Sequence, residues 1–170
     1  MDRRVMILAL AAGAASPAFA QTAMPGGEMG PAEMDHGKRT AMTGMVALQT
    51  SDVALEKARN AKVKEFAKFE HDEQTTVAEI LKSMAPNMPP PMLDPKMAEM
   101  VQMLKGMAAG AAFDKAYVTG QIEGHEMLLK IQEDYIKAGK NREQLGVAKL
   151  VRGMVKEHLV LLGDLRKAMA

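Results

Sequence analysis

From Gly44 onward, apolar residues return every three or four positions, the period of a helix with one face turned inward. Over Met45–Asn60, Val46, Ala47, Val53, Ala54, Leu55 and Ala58 share a side that Ala61 continues, with Asp52, Glu56 and Arg59 opposite. Asn60 marks a break or bend. Val63–Met84 carries a second stripe of Val63, Phe66, Ala67, Val77, Ala78, Leu81 and Met84. Pro86, Pro89, Pro90, Pro91 and Pro95 then interrupt the pattern, because proline lacks an amide hydrogen and clashes with the preceding turn. Asp94-Pro95 reads as an N-cap with a first-turn proline, opening a short methionine-rich helix over Lys96–Met107. Gly106 and Gly110 loosen the next junction. Ala112–Ala138 is a long helix stopped at Gly139, and a last helix starts at Asn141 or Arg142 and runs to the end. Its stripe is Val147, Val151, Met154, Val155, Leu161, Leu162 and Leu165. No segment alternates with the period of a strand.

Short links suit an up-down-up-down bundle. Here the link between the second and third main helices is long. The pattern therefore predicts an all-α, ferritin-like four-helix bundle over residues 43–170, with a long central crossover carrying a short extra helix.

Several polar residues interrupt the apolar stripes. Glu70 and Gln74 fall mid-stripe on the second helix, with His71 and Glu73 at its two edges. Asp114, Gln121, His125 and Gln132 form a narrow polar line inside the wide apolar arc of the third. His158 lies at the centre of the last stripe. An unpaired buried polar group costs about 1–3 kcal/mol, so Glu70, Gln74, Gln121, His125 and His158 are expected to meet as one buried polar layer.

Upstream, the pattern changes. A charged start, Asp2-Arg3-Arg4, precedes the apolar run Val5–Ala15 and the small-x-small site Ala18-Phe19-Ala20. That run is too short to span a bilayer, and it reads as a secretory signal cleaved after Ala20. The expected location is periplasmic or secreted, with no membrane span in the mature chain. Residues 21–42 are rich in Gly, Pro and Met without a usable period, and they are expected to form a disordered tether. Taking Asp2, Arg3 and Arg4 from 22 basic and 21 acidic residues leaves 20 of each, so nothing marks a nucleic-acid partner. The absence of cysteine excludes disulfides and thiolate chemistry.

Val63-x2-Phe66-Ala67, Phe113-Asp114-x2-Tyr117-x7-His125 and His158-Leu159 together resemble the bacterial exported domain of unknown function 4142, often labelled a predicted outer-membrane protein. The likeness runs from about Gly44 to Leu165, and the Phe-Asp-x2-Tyr-x7-His segment is its most specific part. It implies a ferritin-like bundle in the envelope with no established activity. It also implies an Asp-His pair on the second helix, where this chain has Glu73-Gln74; an amide stands in for a third buried imidazole.

A di-iron centre needs carboxylates from four helices and two Glu-x-x-His pairs. Ile122 and Val155 occupy the positions where those glutamates would stand, and the first helix aims no carboxylate inward on this reading. The favoured expectation is a hydrogen-bonded layer with no cofactor. The alternative is one transition-metal ion held by Glu70, His125 and His158, a donor set that suits zinc or iron. A second metal reading uses soft thioethers for copper, from Met24, Met29 and Met34 with His36, or from the stretch Met84, Met88, Met92, Met97, Met100, Met103 and Met107. Packing of flexible methionines is its rival. No nucleophile elbow or phosphate loop is present. The expected role is non-enzymatic, an envelope stress or accessory binding protein, whose partner would be another envelope protein or a second copy of the chain.

Overall fold

The computed structural model describes residues 29–170, which form five helices and no strand: α1 (Pro31–Lys57), α2 (Ala61–Met84), α3 (Pro95–Gly106), α4 (Ala111–Ala138) and α5 (Arg142–Ala168). The expected signal with its cleavage site after Ala20, and Met24, lie outside the described residues.

Side-chain caps set most of the boundaries. Asn60 accepts hydrogen bonds from the amides of Lys62 and Val63, Asp94 from Met97, and Asn141 from Gln144. Gly110 opens α4 with φ of 146°, a conformation that needs glycine. The Lys57 ammonium donates to the carbonyls of Lys105 and Met107 and so closes the C-terminal end of α3.

Two polar ties give the topology. Near the start of α4, the Asp114 carboxylate accepts from the backbone amides of Arg59 and Asn60, at the turn from α1 to α2. Near the start of α1, Glu33 accepts from the Tyr135 hydroxyl near the end of α4. Helices α2 and α4 therefore run parallel, and the chain from 85 to 110 returns along the bundle. This up-down-down-up order with one long crossover is the ferritin-like connectivity. Helix α1 packs on α2 and α4, α5 packs on α4, and α3 lies along α1 and α4.

The apolar interior divides into two clusters. One gathers Phe66, Phe113, Tyr117, Ile122 and Leu162. The other gathers Val77, Leu81, Leu128, Val151 and Val155. Between them lie Glu70, His125 and His158, the two histidines one turn from each cluster and Glu70 one turn from Phe66 and two from Val77. The buried line of α5 runs through Gln144, Ala148, Val151, Val155, His158 and Leu162. Leu161, expected in that stripe, is exposed because it sits ~100° away from Leu162 around the helix.

One boundary is corrected. Helix α1 begins at Pro31, so the second half of the expected 21–42 tether is helical. Its inward face is Glu33, His36, Gly37, Thr40 and Thr43, which shows no hydrophobic stripe. Burial is sustained by partners instead. Gln132 Oε1 lies 2.7 Å from His36 Nε2, and Gln144 Nε2 lies 2.7 Å from His36 Nδ1. The amide orientations make Nε2 the donor and Nδ1 the acceptor, so His36 is neutral. Its ring stacks on Tyr135 at 4.2 Å between centroids. Glu33 also overturns the expectation that the first helix buries no carboxylate.

This docking is expected to weaken in acid. Burial holds His36 below its ordinary value of 6.5. The Tyr135 hydroxyl holds Glu33 below 4.5. Both native values are depressed, so each contribution is complete above the ordinary value and lost as pH falls beneath it. Hydrogen exchange at pH 7 and pH 5 provides the check. Amides of residues 34–44 should lose protection before those of α4, whereas equal protection at both pH values would contradict the assignment.

Candidate functional site

Helices α2, α4 and α5 each contribute one side chain to the layer between the two apolar clusters. Glu70 Oε2 is 3.0 Å from His158 Nδ1 and 3.3 Å from His125 Nε2. The two ring nitrogens are 3.0 Å apart. These three atoms form a nearly equilateral triangle, and all three residues are buried.

Each member is oriented from behind. His125 Nδ1 is 2.8 Å from the Gln121 carbonyl oxygen. A carbonyl only accepts, so Nδ1 carries hydrogen and Nε2 turns a lone pair to the centre in the neutral ring. His158 Nε2 lies 3.0 Å from Glu73 Oε2, on the opposite ring edge from Nδ1. Glu70 Oε1 accepts from Gln74 Nε2 at 2.9 Å. The Phe66 ring lies 5.1 Å from His158 and 6.1 Å from His125, centroid to centroid.

The layer is incompletely paired. Glu70 Oε2 sits at ion-pair distance from both imidazoles without a well-formed hydrogen bond. Glu73 Oε2 and Gln74 Oε1 are buried without a hydrogen bond as well. Burial opposes ionisation of Glu70, but the two imidazoles outweigh it and hold the carboxyl at about 2. Burial likewise disfavours the charged His158, but Glu70 and Glu73 prevail and raise it. Glu73 is pushed up, by burial first.

The geometry admits a metal ion. A tetrahedral ion bonded at 2.0–2.2 Å keeps its ligand atoms about 3.3–3.6 Å apart, a few tenths of an ångström beyond the edges of this triangle. Two imidazoles and a carboxylate suit zinc or iron(II). The carbonyl and carboxylate behind the rings are the partners that metal-bound histidines use. The donors do not fit a di-iron centre: α1 supplies none, and Glu70 and Glu73 both come from α2.

The other expected residues have different partners. Gln74 joins the triad through Glu70. The Gln121 amide instead donates to Thr50 at 3.0 Å, within a network where Ser51 meets the Tyr117 hydroxyl at 2.9 Å. Only the Gln121 carbonyl serves the triad. His71 pairs with Asp52 and Asp72 outside the layer. Of the copper set Met24, Met29, Met34 and His36, the structure buries His36 with both ring nitrogens engaged and puts Met34 in α1, while Met24 lies outside the described residues. The later methionines separate as well. Met97 and Met100 line a cleft of about 190 Å3 against α1 and α4, Met88 faces a different one, and Met92 and Met103 are exposed.

A protein-family profile described as domain of unknown function (DUF4142) matches residues 16–165. The chain belongs to the DUF4142 family. Neither the curated proteins nor the solved structures gave a significant match. The DUF4142-like run Phe113-Asp114-x2-Tyr117-x7-His125 has three physical roles in this member. Phe113 and Tyr117 fill the core, Asp114 ties down the α1–α2 turn, and His125 enters the triad. Glu73 and Gln74 both support the triad, one behind His158 and the other behind Glu70. Glu33, Gln144 and the core position of His36 were not expected from the sequence. Their signal was helical spacing of polar residues that a hydropathy pattern does not register.

Proposed function

We propose that this is an exported, non-catalytic bundle protein of the cell envelope that holds one divalent metal ion, zinc or iron(II), between Glu70, His125 and His158. The observation that carries the reading is Glu70 Oε2: a buried carboxylate oxygen with no hydrogen bond, facing two imidazole nitrogens within 3.3 Å. A buried acceptor without a well-formed hydrogen bond is costly, and a cation at the centre of the triangle satisfies all three atoms. The orienting partners behind each ligand support the same reading. The export part rests on the sequence of residues 1–20.

A second reading keeps the triad as a proton-held structural layer. The 3.0 Å contact between His125 Nε2 and His158 Nδ1 favours it, since one proton shared there balances Glu70.

Metal analysis separates the two. The protein is purified without a histidine tag, challenged with zinc, iron(II) and copper(I), and dialysed. One equivalent of zinc or iron per chain is expected, absent from the His125→Ala/His158→Ala variant. A folded protein that retains no metal supports the proton-held layer. Metal retained by the double variant overturns the assignment to these residues.

A further inference from the structure

We infer that the cleft between α1, α2 and the proline-rich crossover is the route by which a divalent cation reaches Glu70, and that Gln74 is the gate across it. This rests on the metal reading above and adds to it how the buried site is loaded.

The cleft has a volume of about 330 Å3 and mostly apolar walls, among them Met45, Leu48, Val77, Met88 and Pro89. Gln74 also lines it, although only 2% exposed. The amide nitrogen of the same residue is bonded to Glu70 Oε1. One side chain therefore touches both the cleft and the carboxylate.

The amide is anchored at one end. Its Oε1 is buried with no hydrogen-bond partner. It packs against Gly44, where an added Cβ would lie 2.5 Å from it. Turning the amide into the cleft exchanges an unpartnered oxygen for a solvated one and uncovers Glu70. An amide oxygen is a weak neutral donor that a divalent cation can touch in passing, so the turned Gln74 offers a first contact on the way in. Closure restores the bond to Glu70 and seals the site behind the ion.

The rival approach passes Glu73, whose side chain is 36% exposed. That route meets His158 at Nε2, the ring edge away from the triangle. Glu157, exposed on α5 and close enough to act on the Glu73 charge, marks this side.

Stopped-flow uptake of zinc by the metal-free full chain, read with a fluorescent zinc indicator, tests the route. Ala78 is an exposed residue at the cleft wall. Ala78→Trp should slow uptake by about tenfold or more, and Gln74→Ala should speed both uptake and release by about tenfold, within the range that conformational gating spans. Glu157→Trp should stay within about twofold of the unsubstituted chain. The unsubstituted chain, Ala78→Trp and Glu157→Trp should each bind one zinc per chain at equilibrium. Equilibrium binding with unchanged rates in Ala78→Trp or Gln74→Ala overturns the route and leaves the metal reading intact. Slowing by Glu157→Trp alone moves the route to the Glu73 side. A chain that binds no zinc at equilibrium overturns the metal reading and the route together.

Discussion

Glu70→Ala is expected to lower the unfolding free energy of the metal-free protein by about 3–5 kcal/mol, the cost of removing one partner from a buried charge pair. The carboxylate is fully buried and is, among the described residues, the only acid in contact with both imidazoles. Its loss leaves His125 and His158 facing a void and leaves the Gln74 amide without its acceptor. The triple variant Glu70→Met/His125→Leu/His158→Leu should behave differently. Apolar replacement of a whole buried ionic set is often neutral or stabilising, and apolar clusters already lie on both sides of the layer. Urea unfolding of both variants is the measurement. A destabilised single variant beside a triple variant at least as stable as the starting protein would mean that the layer is not needed for folding. Equal destabilisation in both would make it a structural element and weaken the metal reading.

Asp114→Ala is the second large effect, at about 2–3 kcal/mol. The carboxylate accepts from two backbone amides, of Arg59 and Asn60, in the turn that joins α1 to α2. A buried amide left without an acceptor costs about 1–3 kcal/mol, and partial access of water at this turn softens the loss. Exchange at the amides of Arg59 to Val63 should rise more than exchange in α5. A change below about 0.5 kcal/mol, typical of an ordinary surface position, would contradict the role given to this aspartate.

Helices α2 to α5 were legible in the sequence because local signals agreed with period. Asn60, Asp94-Pro95 and Asn141 stand where a capping residue is needed, and the stripes between them are apolar. The first half of α1 was not legible for a physical reason. Its buried face carries side chains that gain little by leaving water and are held by Gln132, Gln144 and Tyr135, far along the chain. Pro31 at the first turn and the spacing Glu33, His36, Thr40, Thr43 were the available clues. Glu70, His125 and His158 could be singled out because each interrupts an apolar stripe. That the Gln121 amide turns to Thr50 could not be read, because its orientation depends on which residues of α1 lie opposite.

The central claim is that three named atoms share one metal ion, and anomalous diffraction at the zinc edge tests it most directly. Crystals of the protein loaded with one equivalent of zinc should show a single strong peak bonded to Glu70 Oε2, His125 Nε2 and His158 Nδ1, at the ~2.0–2.2 Å typical of zinc. A peak among the methionines or at the surface, with the triangle empty, would contradict the claim.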